Sequence, residues 1–346
     1  MKIGSFSIEA SAPPFVIAEA GVHHFNSVEL AKQYIVQARI AGVQAIKFQT
    51  YSADRIAARW APTYWDAGDG KTQHDIFASR SRITKEGYAD LFAFARELGV
   101  MFLSTPFDPD AAVLLNGFGM EAYKIASADI TNWPLLETVA AFKKPMVLST
   151  GASTIDEVRK TVAMLRDKKA DIALLHCSLS YPTPIKDANL SRIGMLKQAF
   201  PDLHIGYSDH TEPQNSMLAC PIAVSMGARI LEKHFTLNKL EDDDDHYHAV
   251  DAAGLARLVR DCKDAYLMTK PAQELTDKES PARNFARRSI VAARALPAGK
   301  RIEQADIDFK RPGTGLSPTE AGVVLGKKLK RALAHDELVK LEDLEG

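Results

Sequence analysis

The sequence predicts an α/β fold, a (β/α)8 TIM-type barrel followed by a small second domain. Three observations carry this reading. Eight apolar, β-branched runs recur along the chain, segments of helical periodicity separate them, and no glycine-rich dinucleotide or phosphate loop follows the first run, which counts against a doubly wound open sheet.

The runs are Phe15-Val16-Ile17-Ala18, Ala45-Ile46-Lys47-Phe48, Val100-Met101-Phe102-Leu103, Ala122-Tyr123-Lys124-Ile125, Pro145-Met146-Val147-Leu148, Ile172-Ala173-Leu174-Leu175, His204-Ile205-Gly206-Tyr207 and Arg229-Ile230-Leu231-Glu232. Amphipathic stretches at Ser27 to Ala41, Lys85 to Leu98, Ile155 to Arg166 and Ser216 to Met226 supply helices. Ser27 and Thr154 are suited to cap helix N-termini, and Gly42 and Gly99 stand where helices end. Between Tyr51 and Arg82 the periodicity lapses. Trp60, Pro62, Tyr64, Trp65, Asp66, Gly68 and Gly70 read there as a long loop over one face of the barrel, the kind of segment that serves as a lid or binding loop.

The barrel is expected over residues 1–268, a linker over 269–285 and a second domain over 286–346, with β-prone pieces at Ser289 to Ala293 and Asp306 to Lys310. So small a unit has a marginal core and is expected to lean on the barrel or on a second subunit.

The 346 residues suffice for a barrel of about 250 residues plus a smaller unit. Lys+Arg 43 against Asp+Glu 44 gives no basic excess for nucleic acid, so the balance favours small-molecule chemistry. Cys177, Cys220 and Cys262 are odd in number and widely spaced, which fits a reducing compartment better than a disulfide framework. The N-terminus lacks a signal-peptide apolar region, and no apolar run approaches the roughly 20 residues of a membrane span. A cytoplasmic protein that engages neither membrane nor nucleic acid is expected.

Chemistry-bearing residues gather at the C-terminal ends of the candidate strands. Glu19 ends the first, Lys47 and Gln49 the second, Thr105 the third, and Lys124 and Ser127 the fourth. Ser149 and Thr150 end the fifth, His176 and Cys177 the sixth, Ser208, Asp209 and His210 the seventh, and Glu232 and His234 the eighth. In a parallel barrel these ends share one face, where barrel active sites are built. Side-chain alternation puts Lys47 with Gln49, and Glu232 with His234, on common strand faces.

Lys47 and Lys124 interrupt apolar runs, where an unpaired ammonium is strongly disfavoured. They read as a clamp for an anionic substrate group, as structural partners of Glu19 or Glu232, or, for one of them, as a Schiff-base lysine. Thr105, Ser127 and Ser149 would add neutral donors suited to phosphate oxygens. His210 and His234 end adjacent strands, from which two imidazoles can meet one divalent metal and leave positions open to polarise a carbonyl. Asp242 to Asp245 read as a solvated acidic loop with one member able to reach substrate hydroxyls; His23, His24, His246 and His248 receive no role.

In order along the chain, Ile17-Ala18-Glu19-Ala20-Gly21, Lys47-Phe48-Gln49-Thr50, Leu103-Ser104-Thr105-Pro106-Phe107-Asp108, Tyr123-Lys124-Ile125-Ala126-Ser127, Leu148-Ser149-Thr150-Gly151, Tyr181-Pro182-Thr183-Pro184, Gly206-Tyr207-Ser208-Asp209-His210-Thr211 and Glu232-Lys233-His234-Phe235-Thr236 resemble the sialic acid synthase family of nonulosonic acid synthases. Lys310-Arg311-Pro312-Gly313-Thr314-Gly315 is similar to the signature of that family's antifreeze-like (SAF, β-clip) domain.

The resemblance implies condensation of phosphoenolpyruvate with a mannose-type aldose such as N-acetylmannosamine, with loss of phosphate. It also implies a divalent metal, typically manganese, with magnesium or cobalt as alternatives, and a domain-swapped homodimer. Carried residue by residue, it makes Glu19, His210 and His234 catalytic, with the two histidines as metal ligands. Lys47, Thr105, Lys124, Ser127, Ser149 and Ser208 would hold phosphoenolpyruvate. Gln49, Tyr181 and Asp245 would face the sugar together with Glu19, and Arg311 of the other subunit would reach its acyl group.

Three departures from the family pattern stand out: Leu179 replaces a polar residue after the sixth strand, acidic residues replace Pro-Gly-Pro before Asp245, and His23-His24 replaces Asn-His. A Schiff-base pyruvate aldolase using Lys124 and a non-catalytic sugar-binding protein are the alternative functions.

Overall fold

The computed structural model describes residues 1–65, 70–80, 83–214, 216–241, 245–270 and 274–345. Eight strands form one sheet: β1 (Phe15–Gly21), β2 (Ala45–Thr50), β3 (Met101–Pro106), β4 (Tyr123–Ile125), β5 (Met146–Ser149), β6 (Ile172–Cys177), β7 (His204–Asp209) and β8 (Ile230–His234). The hydrogen-bonded order is β3-β2-β1-β8-β7-β6-β5-β4, each pairing parallel. β3 and β4 lie against each other, so the sheet curls into a barrel. Residues such as Ile17, Ile46, Leu103, Leu148, Leu174 and Leu231 are buried, because inner packing and outer helices cover both faces of a parallel sheet.

The helices that follow the strands are α1 (Val28–Ala41), α2 (Lys85–Leu98), α3 (Pro109–Gly117), α4 (Trp133–Ala141), α5 (Ile155–Asp167), α6 (Ser191–Ala199), α7 (Ala219–Ser225) and α8 (Ala252–Thr269). The caps act as their residue types dictate. Ser27 accepts from the Leu30 N–H, Thr154 and Glu157 form a reciprocal capping box, and Gly42 and Gly99 end α1 and α2 in the left-handed region. The expected helix Ser216 to Met226 is shorter, starting only at Ala219; Ser216 instead accepts the Leu218 N–H in a local turn.

Two other expectations are corrected. The segment from Tyr51 to Arg82, read as a plain loop, carries helices Ala53–Ile56 and Gln73–Arg80; the second is held partly by Asp75, which accepts from the Thr72 backbone and hydroxyl at its start. Asp66 and Gly68 of that segment lie outside the described residues. The stretch 269–285, expected as a linker, holds most of the helix Ser280–Ala286, with Pro281 in the first turn, where a missing N–H costs nothing.

The chain divides into two compact units, Met1–Lys270 and Pro271–Gly346. In the second, β9 (Ser289–Ala292) and β10 (Ile307–Lys310) pair antiparallel over a small core that includes Ile290, Leu296, Ile302, Leu329 and Val339. Among the described residues, no helix is long and apolar enough to cross a membrane.

Candidate active site

The register of the barrel sets its C-terminal mouth. Glu19 on β1 is level with Lys47 on β2 and with His234 on β8, while Glu232 is level with Ser208 on β7. Strand pairing thus brings groups from distant parts of the sequence to one height. The β1–β2 register shifts between Glu19 and Gly21, an irregularity of the kind that re-aims side chains beside active sites.

Two lysines and two glutamates interlock there. Lys47 Nζ lies 2.6 Å from Glu19 Oε2 and 3.9 Å from Glu232 Oε1, and donates to Thr105 Oγ1 at 2.8 Å. Lys124 Nζ lies 3.5 Å from Glu232 Oε2 and donates to the Ile125 carbonyl at 3.2 Å. Gln49 donates to Glu19 Oε1 at 3.0 Å, and Ser208 donates to Glu232 Oε1 at 3.3 Å. All four charged side chains are buried, so each charge persists only because the others balance it. Burial pushes the Glu19 carboxyl up and the Lys124 ammonium down. Burial also opposes the Glu232 charge, but Lys124, Lys47 and His210 outweigh it and hold this carboxyl below the usual range.

Hydroxyls line the neighbouring wall. Ser127 accepts the Gly151 N–H at 2.9 Å and faces Cys177 Sγ at 3.4 Å, while Ser149 Oγ is buried without a hydrogen bond. A hydroxyl in that condition at the edge of a cavity is a donor available to a ligand.

The histidines form a second group. His210 Nδ1 lies 2.8 Å from the Ser178 carbonyl; a carbonyl only accepts, so Nδ1 carries a proton, and in the neutral ring Nε2 holds the lone pair. The Tyr181 ring lies 4.3 Å from the His210 ring, and the peptide between Tyr181 and Pro182 is cis. Beyond β8 the chain leaves the barrel and returns: Thr236 donates to the Val250 carbonyl and Val250 to the His234 carbonyl, both at 2.8 Å. This clamp carries Asp245 and His248 back to the end of β8. Asp245 Oδ2 lies 3.3 Å from His234 Nδ1, and Oδ1 lies 3.8 Å from His248 Nε2.

One cavity of about 670 Å³ unites these groups, a volume suited to small-molecule substrates. Glu19, Lys47, Gln49, Thr105, Lys124, Ser127, Ser149, Tyr181, Ser208, His210, His234 and Asp245 all line it. Leu179 joins them where a polar side chain was expected, and Tyr64, Trp65 and Phe77 contribute aromatic surface from the helix-bearing loop. Arg311 lies on the second unit and is exposed, at the cis peptide with Pro312. Asp242, Asp243 and Asp244 lie outside the described residues.

The sequence offered Glu232 only as one possible structural partner of a lysine; in the structure it bridges both. Its signal was present, a carboxylate sharing a strand face with His234. His248 carried no comparable signal.

The residues fit a divalent ion. Donor atoms of His234, Asp245 and His248 lie within 4.8 Å of one another. His234 Nδ1 is buried without a hydrogen bond, a costly state that ligation would relieve. Burial, reinforced by neighbouring imidazoles, holds His234 and His248 well below the usual histidine range, so both are neutral with lone pairs to offer.

Residues 34–273 match the NeuB family model, and residues 287–345 match the SAF domain. The chain belongs to the NeuB family. It is 33% identical over 341 residues to N,N'-diacetyllegionaminic acid synthase of Legionella pneumophila, covering 96% of this chain and 94% of that protein. It is 30% identical over 354 residues to pseudaminic acid synthase of Campylobacter jejuni, covering 100% of both. The crystal structure of N-acetylneuraminic acid (sialic acid) synthetase from Leptospira borgpetersenii superposes with a TM-score of 0.72 at 31% identity, covering 81% of this chain and 94% of that one. These NeuB-family relatives are synthases of three different nonulosonic acids at similar identity, so identity alone does not select a sugar.

Proposed function

We propose that this NeuB-family chain is a metal-dependent nonulosonic acid synthase that condenses phosphoenolpyruvate with an N-acetylmannosamine-type aldose. The observation that carries the reading is the convergence of Lys47 and Lys124 with His210, His234 and Asp245 around one cavity at the barrel mouth.

The two ammonium groups bind and orient phosphoenolpyruvate, sharing their charge between its anionic groups and the carboxylates they already face. Thr105, Ser127, Ser149 and Ser208 supply hydroxyl donors to the same ligand. C3 of phosphoenolpyruvate attacks the aldehyde carbon of the sugar, and water adds at C2. The resulting tetrahedral centre loses phosphate to give the 2-keto acid. Glu19, its carboxyl pushed up by burial and hydrogen-bonded by Gln49, is suited to move a proton at the sugar. Gln49, Tyr181 and Asp245 orient the sugar, and Arg311 of a second subunit reaches its acyl group in a domain-swapped homodimer. His210, His234 and Asp245 would hold the divalent ion, manganese first among the candidates. When bound, such an ion polarises a carbonyl oxygen.

The test is incubation of purified protein with phosphoenolpyruvate, Mn2+ and a panel of mannose-type sugars, with release of phosphate and formation of 2-keto acid as readouts. Sugar-dependent turnover with at least one member is expected; none with any member would overturn the proposal. Because burial lowers Lys124, borohydride trapping with pyruvate tests the Schiff-base reading, and no label on Lys124 is expected.

A further inference from the structure

We propose that His248 is itself a ligand of the metal, joining His234 and Asp245 with His210 facing them. The inference rests on the metal-dependent reading above and adds a residue that this reading does not contain.

His248 is fully buried, and neither of its ring nitrogens has a hydrogen-bond partner. Among the described residues, of the other buried histidines only His234, whose Nδ1 is likewise unpartnered, shows no ring hydrogen bond, and it is the imidazole that His248 faces. His23 Nδ1 meets the Phe235 carbonyl at 3.2 Å, His24 Nδ1 accepts the Asn26 N–H at 3.0 Å, and His246 Nδ1 lies 2.7 Å from Thr236 Oγ1. His176 Nε2 meets the Ala188 carbonyl at 2.8 Å, as expected of an imidazole packed into a core for structure. A side chain with two polar atoms in a dry place is costly there, and an apolar residue would fill the space more cheaply. A cation removes that cost.

The surroundings suit one. Asp245 presents one carboxylate oxygen to each of the two rings, Oδ2 to His234 and Oδ1 to His248. Ring centroids are 4.4 Å apart for His234 and His248, 5.2 Å for His210 and His234, and 5.8 Å for His210 and His248. Imidazoles bound to one ion at about 2.1 Å have centroids roughly 4.5–6 Å apart for bond angles between square and trigonal, so the rings need little movement to share it. Two imidazoles and a carboxylate are a donor set that binds divalent transition metals and leaves positions open for substrate. The backbone clamp at Val250 holds His248 in place before any ion arrives.

The experiment is titration of chelator-stripped full-length protein with Mn2+ by calorimetry and with Co2+ by visible absorption, for wild type, His248→Ala and His248→Phe. The phenylalanine variant fills the buried space without donors and keeps the test open should alanine lose the fold. Both variants are expected to bind Mn2+ about 10- to 100-fold more weakly, as loss of a group that ligates or orients a site does. Their Co2+ spectrum is expected to shift, which a merely structural histidine would not cause. Unchanged affinity and an unchanged spectrum in a folded variant would overturn the role of His248 and leave the metal reading standing. A wild type that binds neither ion would overturn both.

Discussion

Glu232 Oε2 lies 3.5 Å from Lys124 Nζ while Oε1 of the same carboxylate lies 3.9 Å from Lys47 Nζ, so one buried anion holds two buried cations. Replacing Glu232 by Gln keeps the shape and removes the charge that favours the protonated form of both lysines. The Glu232→Gln protein is expected to lose at least about 10-fold in kcat/KM, roughly 1.4 kcal/mol of transition-state stabilisation, and to melt at a lower temperature. Steady-state assays beside a thermal melt check this; unchanged kinetics with a lowered melting temperature would make Glu232 purely structural.

Removal of metal is a separate test. EDTA treatment followed by desalting is expected to abolish turnover, and Mn2+ to restore it, with His234→Ala refractory to restoration. Turnover that survives the chelator would exclude a metal-dependent reaction.

The assignment of Arg311 to a neighbouring subunit's sugar is testable by complementation. Arg311→Ala and His234→Ala proteins, each nearly inactive, are expected to recover part of the wild-type rate when mixed under conditions of subunit exchange, because hybrid dimers then hold one intact site. Exchange demonstrated by labelled subunits without recovered activity argues against the swapped arrangement.

The second unit has its own charge dependence. Burial opposes the Asp306 charge, but hydrogen bonds from Arg294, the Glu303 backbone and Lys300 outweigh it and hold the carboxyl below its usual range. A folded-state value below the unfolded one contributes stability above the unfolded pKa of about 4, and that contribution is lost as pH falls through the folded value. Asp306→Asn is therefore expected to lower the melting temperature of the second unit at pH 7, with the gap to wild type closing as pH drops below about 4. A gap that stays constant with pH would assign the effect to packing.

The strands and their polar ends were legible because barrel geometry converts sequence position into a shared face: Lys47, Lys124, His210 and His234 each end or punctuate an apolar run, and all four line the cavity. That Glu232 serves both lysines at once, beyond being one possible structural partner, was not legible, since it depends on how side chains from β2, β4 and β8 meet inside the barrel. His248 was hidden for another reason. Its nearness to His234 arises from a chain reversal after β8, and no local pattern announces where a loop returns. The helices at Ala53–Ile56 and Gln73–Arg80 escaped notice because elements so short carry too few turns to show a period.

Val250 pins the far end of the acidic loop to the end of β8, which makes the segment after Thr236 a ring fastened at its base. Asp245 and His248 sit close to that fastening. Closing a longer ring costs only about 0.6 kcal/mol per doubling of its length. Lys239 donates to the Tyr247 and Ala249 carbonyls at 3.1 and 2.7 Å and so ties the start of the segment to the same arm; on the proposed reading, the chain between Lys239 and Asp245 is the part whose length can change to suit a different sugar while Asp245 and His248 keep their place.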